Sequence, residues 1–335
     1  MARIVLGLAT SHGPMLSTPP EQWDARVPAD RQARHHFRGR TFTFDGLVAL
    51  RAGENLASQI TPQRWRERHA ACQRAIARLA DVFHSAKPDV AVIVGNDQME
   101  VFSDKNLPAF AVFRGDTVEN IPLTEAQLAR LPAGIAIAEP GHMTPTRTAY
   151  RTLPELGEHI ARTLIAEAFD VAVSKELPAG PLGSNSIPHA FGFIYRNVMR
   201  DAVIPHVPVM VNTFYPPNQP SAARCAGFGR ALLRAIAGWQ TDKTVALICS
   251  GGLSHFVVDE ELDARVLGAI AARDVSRVVD LPETYFQAGS SEIKNWIPVI
   301  GAMAELGLAP NVVDYVPCYR SEAGTGNAMG FVYWQ

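Results

Sequence analysis

Short hydrophobic runs alternate with longer amphipathic stretches along most of the chain. The runs are rich in Val, Ile and Ala and apolar at nearly every position, which is typical of strands covered on both faces. They predict strands at 3–10, 89–95, 109–113, 170–174, 207–213 and 244–249. The amphipathic stretches predict helices at 61–84, 153–168, 222–239, 260–272 and 292–306. The alternation predicts an α/β fold of three layers, with a central, mostly parallel or mixed sheet flanked by helices.

Two polar stretches, 17–60 and 114–152, depart from this alternation because they are punctuated by Pro and Gly and show weak periodicity. Long stretches of this kind serve either as lids and binding loops or as surface insertions. Aromatic side chains and histidines are frequent in the first stretch; they are Trp23, His35, His36, Phe37, Phe42 and Phe44. Because no linker divides the chain, we interpret 1–335 as a single domain with an inserted, lid-like segment around 17–60.

Charge and cysteine usage narrow the classes of function. The formal net charge is −2 and no long basic run exists, which argues against a nucleic acid or a membrane surface as partner. No apolar run reaches the roughly 18 residues that a membrane helix needs, and the N-terminus lacks a signal-peptide pattern. The four cysteines are scattered without paired spacing, which is typical of reduced thiols and predicts a cytoplasmic protein.

Short polar motifs follow three of the predicted strands. They are Ser11-His12, Asn96-Asp97-Gln98, and Ser250-Gly-Gly-Leu-Ser-His255 with Asp259-Glu260. In an open α/β sheet the carboxyl ends of the strands form the ligand crevice, so we expect these side chains to converge. Imidazole and carboxylate groups brought together in this way predict a metal site.

Each motif also has a structural interpretation. A single histidine such as His12 is more often structural than a ligand, and the charge of Glu260 can simply favour the start of a helix. His189, in Ser-Ile-Pro-His-Ala-Phe-Gly, can act as a proton shuttle or be a satisfied core histidine. Asn212 and Tyr215 can line a pocket or cap a turn.

Taken together, the motifs resemble those of class III extradiol ring-cleavage dioxygenases of the protocatechuate 4,5-dioxygenase β-subunit type. The resemblance extends from residue 3 to about 330 and rests on Ser11-His12-Gly-Pro, Gly95-Asn-Asp-Gln98, Pro188-His189-Ala-Phe-Gly, Ser250-Gly-Gly-Leu-Ser-His255 with Glu260, and Gly289-Ser-Ser-Glu-Ile-Lys-Asn-Trp296. It implies Fe(II) held by two histidines and a glutamate, with His12 as the first ligand and Glu260 as the carboxylate ligand. It also implies that His189 is the acid/base residue and that His255 orients substrate or ligand.

The resemblance is incomplete at the second histidine ligand. The family normally has a histidine after the Asn-Asp pair, where this chain has Gln98. Gln98 can bind metal through its carbonyl oxygen, which is a weaker and harder ligand than imidazole. Alternatively, His36, His142 or Glu100 completes the site. A third alternative is that the metal site has been lost or altered.

The resemblance implies an Fe(II)-dependent dioxygenase that uses O₂ to open the ring of a small aromatic or heteroaromatic vicinal diol of the catechol, gallate or dihydroxypyridine type. Asn212 and Tyr215 are the predicted substrate-binding residues, and Arg224 or Arg320 can hold a substrate carboxylate unless they are surface residues. The single domain would then be catalytic, with 17–60 closing the site, and the chain would form a homo-oligomer. If Gln98 marks a lost site, the alternative is a non-catalytic, Memo-like binding protein.

Overall fold

The computed structural model describes residues 1–335 and contains thirteen strands. They are β1 (Arg3–Thr10), β2 (His35–Phe37), β3 (Arg40–Phe42), β4 (Val90–Asn96), β5 (Phe110–Phe113), β6 (Thr117–Asn120), β7 (Thr148–Arg151), β8 (Ala172–Ser174), β9 (His206–Val211), β10 (Thr244–Ser250), β11 (His255–Val257), β12 (Pro310–Tyr319) and β13 (Thr325–Trp334). Nine of them form one central sheet in the order β11-β13-β1-β10-β4-β9-β5-β8, with β12 paired to β13. The remaining four form two small two-stranded sheets.

Ten α-helices accompany these strands. They are α1 (Val27–Gln32), α2 (Phe44–Leu50), α3 (Pro62–Ala86), α4 (Glu125–Leu128), α5 (Pro154–Ala166), α6 (His189–Phe193), α7 (Ala222–Gly238), α8 (Glu260–Ala272), α9 (Ser276–Val279) and α10 (Ile293–Leu306). The hydroxyls of Thr61 and Ser221 cap α3 and α7 by accepting a backbone N–H of the first turn. None of the helices is both long enough and apolar enough to cross a bilayer.

The central sheet is mixed. Strands β1, β10, β4 and β9 are paired in parallel, whereas β13 and β5 join this block in antiparallel pairs. Helices α5, α7 and α10 cover one face, and α3 and α6 cover the other. The predicted three-layer α/β architecture is therefore confirmed.

Burial on both faces explains why the strands are apolar at nearly every position. In β4, Val92 and Val94 contribute to the core beneath α7 and α10, whereas Ala91 and Ile93 contribute to the core beneath α3. Successive side chains of a strand point to opposite faces of the sheet, so a strand that is covered by helices on both faces is apolar at nearly every position. Polar residues in this part of the sheet are consequently found where the strands end.

The C-terminal hairpin β12–β13 was not predicted. Its strands pair along their whole length, and β13 also pairs with β1 and β11. Proline and glycine residues at Pro310, Pro317, Gly326 and Gly330 interrupt the hydrophobic pattern on which a strand prediction depends. Pairing with the central sheet is what makes these segments strands.

The segment 17–60 forms short helices and the hairpin β2–β3 rather than a loop. It is fastened to the rest of the protein by buried polar contacts. The Asp30 carboxylate accepts from Arg320 Nε at 2.7 Å and from Thr325 Oγ1 at 2.6 Å, and Arg38 pairs with Asp259 before α8. The segment therefore packs on β13 and on the start of α8.

Candidate metal centre

Four polar side chains meet at the carboxyl edge of the sheet. His12 follows β1, and His255 is the first residue of β11, five residues beyond the end of β10 at Ser250. His189 is the first residue of α6, and Glu292 immediately precedes α10. The strand ends and the two helix starts thus bring together residues that are far apart in sequence, as expected for the crevice of an α/β sheet.

The central contact of this group lies between His12 and Glu292. His12 Nε2 is 3.1 Å from Glu292 Oε2 and 3.2 Å from His189 Nε2. One donor atom from each of these three residues lies within 4.8 Å of the others. We call His12, His189 and Glu292 the His/His/Glu cluster.

The second nitrogen of each imidazole is anchored away from the cluster. His12 Nδ1 is 2.9 Å from Ser250 Oγ, and His189 Nδ1 is 2.6 Å from Glu100 Oε2. With Nδ1 engaged in this way, Nε2 of each ring is directed into the cluster. A ring held through one nitrogen by a carboxylate or hydroxyl, with the other nitrogen free, is the usual arrangement of a metal-binding histidine.

The Glu292 carboxylate is held by neutral donors as well as by histidines. Asn96 Nδ2 and Gln98 Nε2 donate to Oε1 at 3.2 and 2.9 Å, and the backbone N–H of Gly252 donates to Oε2 at 2.8 Å. Burial raises the pKa of Glu292, but the attraction of His255 and His12 outweighs burial and holds the pKa well below its ordinary value. Glu292 is therefore an oriented, ionised carboxylate.

His255 lies beside this carboxylate, with Nε2 3.6 Å from Glu292 Oε1. Its Nδ1 is 2.7 Å from the carbonyl oxygen of Leu253, which accepts the Nδ1 proton and leaves Nε2 as the basic nitrogen. The ring is tightly enclosed, because a Cβ on Gly252 or on Gly289 would lie 2.3 Å from one of its carbons. Only glycine at positions 252 and 289 leaves room for the imidazole, whereas Gly251, the other glycine of the Gly-Gly motif, lies against Asn295.

Glu100 also determines the charge of His189. Burial lowers the pKa of His189, but the adjacent Glu100 carboxylate outweighs it and raises the pKa to about 9. In Glu100 the opposite holds: burial raises the pKa, and His189 lowers it below its ordinary value. The turn that carries Glu100 is shaped by Asp97, whose carboxylate accepts the backbone N–H groups of Glu100, Val101 and Phe102.

Gln98 lies next to the cluster, but its amide N–H faces the Glu292 carboxylate and its Oε1 is 3.4 Å from the Tyr215 hydroxyl. Gln98 thus lies against Glu292, and the Tyr215 hydroxyl lies against Gln98. Asn212 is used differently, because its Nδ2 donates to the carbonyl of Tyr215 and its Oδ1 accepts the N–H of Tyr215. Asn212 caps the turn that presents Tyr215, and it has no amide atom aimed at the cluster.

The structure places Glu260, the predicted carboxylate ligand, outside the His/His/Glu cluster. Glu260 begins α8 and accepts a hydrogen bond of 2.7 Å from the Tyr319 hydroxyl. It lines a cavity of about 420 Å³ between segment 17–60 and α8, which we call the insert cavity. Its lining includes Phe37, Arg38, Arg40, Phe42, Arg51, Glu54, Asp259 and Tyr319. The macrodipole and Tyr319 account for Glu260, and the carboxylate in the cluster is Glu292.

The structure separates the three alternatives to Gln98. His36 is exposed on β2, 3.5 Å from Thr41 Oγ1, and is not part of the cluster. His142 pairs with Glu139 at 3.3 Å, and its ring lies 5.8 Å from that of His189. Glu100 reaches the cluster only through His189. The residue that stands beside His12 where a second histidine was expected is His189.

Glu292 was not singled out by the sequence analysis, although the motif Gly289 to Trp296 that contains it was part of the resemblance. Its position at a helix start offered the same structural explanation as that of Glu260. A signal was nonetheless present in Gly289, because a glycine so close to a carboxylate indicates that another group must approach the backbone there. In the structure that group is the His255 ring.

The donor set of the His/His/Glu cluster fits a divalent transition metal. Neighbouring donors on an octahedral ion with bonds near 2.1 Å are about 3 Å apart, and the contacts of His12 Nε2 with Glu292 and His189 are 3.1 and 3.2 Å. Two imidazoles and one carboxylate are the facial triad that leaves further coordination positions open. His12, His189 and Glu292 are accordingly the residues that could hold a metal ion here.

Comparisons with known proteins agree with this geometry. Residues 65–323 match the family described as "Catalytic LigB subunit of aromatic ring-opening dioxygenase". A gallate dioxygenase of Pseudomonas putida is 27% identical in an alignment over 174 residues that covers 46% of this chain and 48% of that protein. A 2,3-dihydroxyphenylpropionate/2,3-dihydroxicinnamic acid 1,2-dioxygenase of Comamonas testosteroni is 25% identical over 185 residues, 55% of this chain and 49% of that protein.

The chain therefore spans about half the length of the curated relatives it matches. The family match is broader, because it covers most of the chain from α3 to the turn between β12 and β13. It includes His189, His255 and Glu292, whereas His12 lies before its first residue. The predicted resemblance is confirmed, and the chain belongs to the family of catalytic LigB subunits of aromatic ring-opening dioxygenases.

Proposed function

We propose that the protein is a non-haem Fe(II)-dependent extradiol dioxygenase that opens the ring of a small aromatic or heteroaromatic vicinal diol with O₂. The observation that carries this proposal is the His/His/Glu cluster within a chain of an aromatic ring-opening dioxygenase family. Both atoms of O₂ enter the product, so the reaction requires no external reductant. The whole chain acts as one catalytic unit.

We assign His12, His189 and Glu292 as the ligands of Fe(II). Imidazole and carboxylate suit ferrous iron, and three protein ligands leave positions for the diol and O₂. In this assignment Glu100 and Ser250 support the ligand rings through their Nδ1 atoms, at 2.6 and 2.9 Å. Gln98 is then a support of Glu292 rather than a ligand.

Bound Fe(II) would supply Lewis acidity toward the diol oxygens and electrons for the activation of O₂. The proton chemistry belongs to the chain's own residues. His255 is the group placed for it, because its basic Nε2 stands beside Glu292 and its Nδ1 is fixed by the carbonyl of Leu253. We propose that Nε2 takes a proton from a diol hydroxyl and returns it once the ring has opened.

Tyr215 lies beside Gln98, on one side of the cluster. Its hydroxyl is 3.4 Å from Gln98 Oε1, and burial together with Asp97 and Glu100 raises the pKa of Tyr215 to about 12. The hydroxyl consequently stays protonated at neutral pH and can donate a hydrogen bond to a substrate oxygen. Asn212 contributes by fixing the turn that carries Tyr215.

The role of His189 distinguishes this ligand set from the one that the family resemblance implies, in which His189 is the acid/base residue. A His189→Phe variant should lose iron if His189 is a ligand. It should retain iron and lose only turnover if His189 moves protons. Iron analysis of the purified, anaerobically reconstituted variant decides between the two roles.

The experiment that tests the function is O₂ uptake by protein reconstituted anaerobically with Fe(II), across catechols, gallates and dihydroxypyridines. We expect uptake proportional to iron content and a ring-opened product that carries both atoms of ¹⁸O₂ by mass spectrometry. Absence of uptake on every diol, with absence of bound iron, would contradict the proposal and favour a binding protein.

We also propose that segment 17–60 closes the mouth of the site. The contact that holds it to the start of α8 is Arg38 with Asp259, at 2.7 and 2.8 Å. Removal of residues 36–41, which form most of the β2–β3 hairpin, spares Asp30 and its buried ion pair with Arg320. Turnover should fall in this variant while its thermal unfolding stays cooperative. Unchanged turnover would show that the segment is not a lid.

A further inference from the structure

The arginines that the sequence offered for a substrate carboxylate are committed elsewhere in the structure. The Arg320 guanidinium is buried and forms a bidentate ion pair with Asp30 at 2.7 and 2.9 Å. The Arg224 guanidinium lies over the ring of Phe169, 5.0 Å from its centroid. Neither is a partner for an anionic substituent at the His/His/Glu cluster.

The ion pairs around the cluster differ from those in the rest of the protein. Glu292, Glu100 and Glu139 are paired with His12 and His255, with His189, and with His142 respectively. Each of the other ion pairs in the protein has an arginine or a lysine as its cation. The active-site region is thus built from carboxylates and histidines, without a permanent positive charge paired to any of them.

The same imbalance is found around the Tyr215 hydroxyl. The charged groups that act most strongly on the Tyr215 hydroxyl are all carboxylates; they are Asp97, Glu100, Glu292 and Asp104. No arginine or lysine forms an ion pair with these carboxylates, so an anionic substituent entering here would lose its hydration without gaining a permanently charged partner. A buried charge without a partner is strongly unfavourable, by several kcal/mol.

A divalent metal ion does not remove this imbalance. Its two positive charges would be balanced by the Glu292 carboxylate and by one ionised oxygen of the diol. No positive charge is then left over for a carboxylate on the ring. The charge balance consequently favours a substrate whose only acidic groups are the two hydroxyls.

Three aromatic side chains lie in a row between Gln98 and His255. The rings of Phe214 and Tyr215 are 4.9 Å apart, and the ring of Phe256 lies 6.5 Å from that of Phe214 and 5.5 Å from that of His255. Phe256 is 39% exposed although its neighbours in β11 are buried. We call Phe214, Tyr215 and Phe256 the aromatic rim.

We propose that the substrate is a vicinal diol without a carboxylate, whose ring carries an uncharged substituent that packs on the aromatic rim. This inference rests on the proposed dioxygenase function and specifies its substrate class. It sets the chain apart from its relatives, whose names specify gallate and dihydroxyphenylpropionate, both of which carry a carboxylate.

The test compares two probes of nearly equal size, 3-(2,3-dihydroxyphenyl)propionate and 3-(2,3-dihydroxyphenyl)propanamide, with 3-propylcatechol as an apolar third. Equilibrium binding to the Fe(II)-loaded protein is measured anaerobically by calorimetry, and kcat/KM is measured by O₂ uptake. We expect the amide and the propyl compound to bind at least about tenfold more tightly than the propionate, which is about 1.4 kcal/mol. Equal or tighter binding of the propionate would overturn the proposal.

A charge placed on the aromatic rim provides a gain-of-function control. Phe256→Arg should improve the propionate relative to the amide by about tenfold, because the exposed position accepts a guanidinium that can pair with the carboxylate. Phe256→Leu should leave the ratio of the two affinities unchanged.

The experiment distinguishes an error in the proposed substrate class from an error in the proposed dioxygenase function. Ring opening of the propionate in preference to both uncharged diols would overturn the substrate class and leave the dioxygenase intact. No binding and no O₂ uptake with any of the three probes would overturn the dioxygenase and the inference with it.

Discussion

The His/His/Glu cluster and the insert cavity both contain a glutamate at the start of a helix, yet the two carboxylates have different partners. Glu292 faces imidazoles of His12 and His255 and accepts from the amide groups of Asn96 and Gln98. Glu260 accepts from Tyr319 in a cavity whose other acidic residues are paired with arginines. The identity of the partner separates a candidate ligand from a structural carboxylate.

This difference has a physical reason. An arginine is permanently charged, and its guanidinium can occupy both oxygens of a carboxylate, as Arg38 does for Asp259 and Arg51 does for Glu54. An imidazole can lose its proton and offer a lone pair to a shared metal ion. In the insert cavity the acidic residues other than Glu260 are therefore held in ion pairs with arginines, whereas the cluster can exchange protons for a cation.

The largest expected effect comes from replacing each of the two glutamates separately by glutamine. Glu292→Gln should lower kcat/KM by about three orders of magnitude or more, which is about 4 kcal/mol, because the cluster loses its only carboxylate ligand. Glu260→Gln should change kcat/KM by less than about threefold, since Gln can still accept from Tyr319. Steady-state O₂ uptake measures both. Comparable losses in the two variants would erase the distinction between the two regions.

His255→Phe should separate proton transfer from metal binding within the cluster. We expect kcat to fall about 10²–10⁴-fold, because the ring that accepts the diol proton is removed. The iron content should stay near that of the wild type, since His255 is not among the assigned ligands. Single-turnover kinetics combined with iron analysis provide the test, and loss of iron would make His255 a ligand.

Glu100→Gln addresses the support behind His189. The Nδ1 contact of 2.6 Å changes from a carboxylate to an amide, so the ring is held less firmly and is less basic. We expect the Kd for Fe(II) to rise about 10–100-fold, as measured by competition with a chelator. A merely structural Glu100 would leave this Kd unchanged, and Glu100→Asp should recover part of the affinity.

The smallest effect is expected on the side of the insert cavity. Arg38→Ala should lower the free energy of unfolding by no more than about 1 kcal/mol, because the Arg38 side chain is 40% exposed. The Fe(II) affinity should be the same as in the wild type. Urea denaturation and the chelator assay test these expectations. A loss of Fe(II) affinity would connect the insert cavity to the metal site.

Much of the fold could be predicted from the sequence, because apolar runs indicate buried strands and amphipathic stretches indicate helices with one buried face. Strand β1 and helix α8 have the predicted bounds, and other predicted elements differ by a few residues. The hairpin β12–β13 was not predicted, because its prolines and glycines disrupt the hydrophobic pattern and because β13 pairs with β1, which is distant in sequence. The α/β topology alone likewise predicted that the site residues would lie at the ends of the strands.

The site itself was only partly accessible from sequence. His12, His189, Gln98 and Tyr215 were named and lie together, but the choice between Glu260 and Glu292 depends on the side-chain partners that the tertiary structure supplies. Both glutamates stand at helix starts, where the macrodipole favours an acid whatever its function. Sequence spacing does not show which of them faces an imidazole.

The most direct test of this account is an anaerobic calorimetric titration of metal-free protein with Fe(II). It is carried out on the wild type, Glu260→Gln and Glu292→Gln. We predict one Fe(II) per chain for the wild type and for Glu260→Gln with equal Kd, and a Kd raised at least about 100-fold for Glu292→Gln. Tight binding by Glu292→Gln together with loss of binding by Glu260→Gln would contradict the assignment of the metal centre to the His/His/Glu cluster.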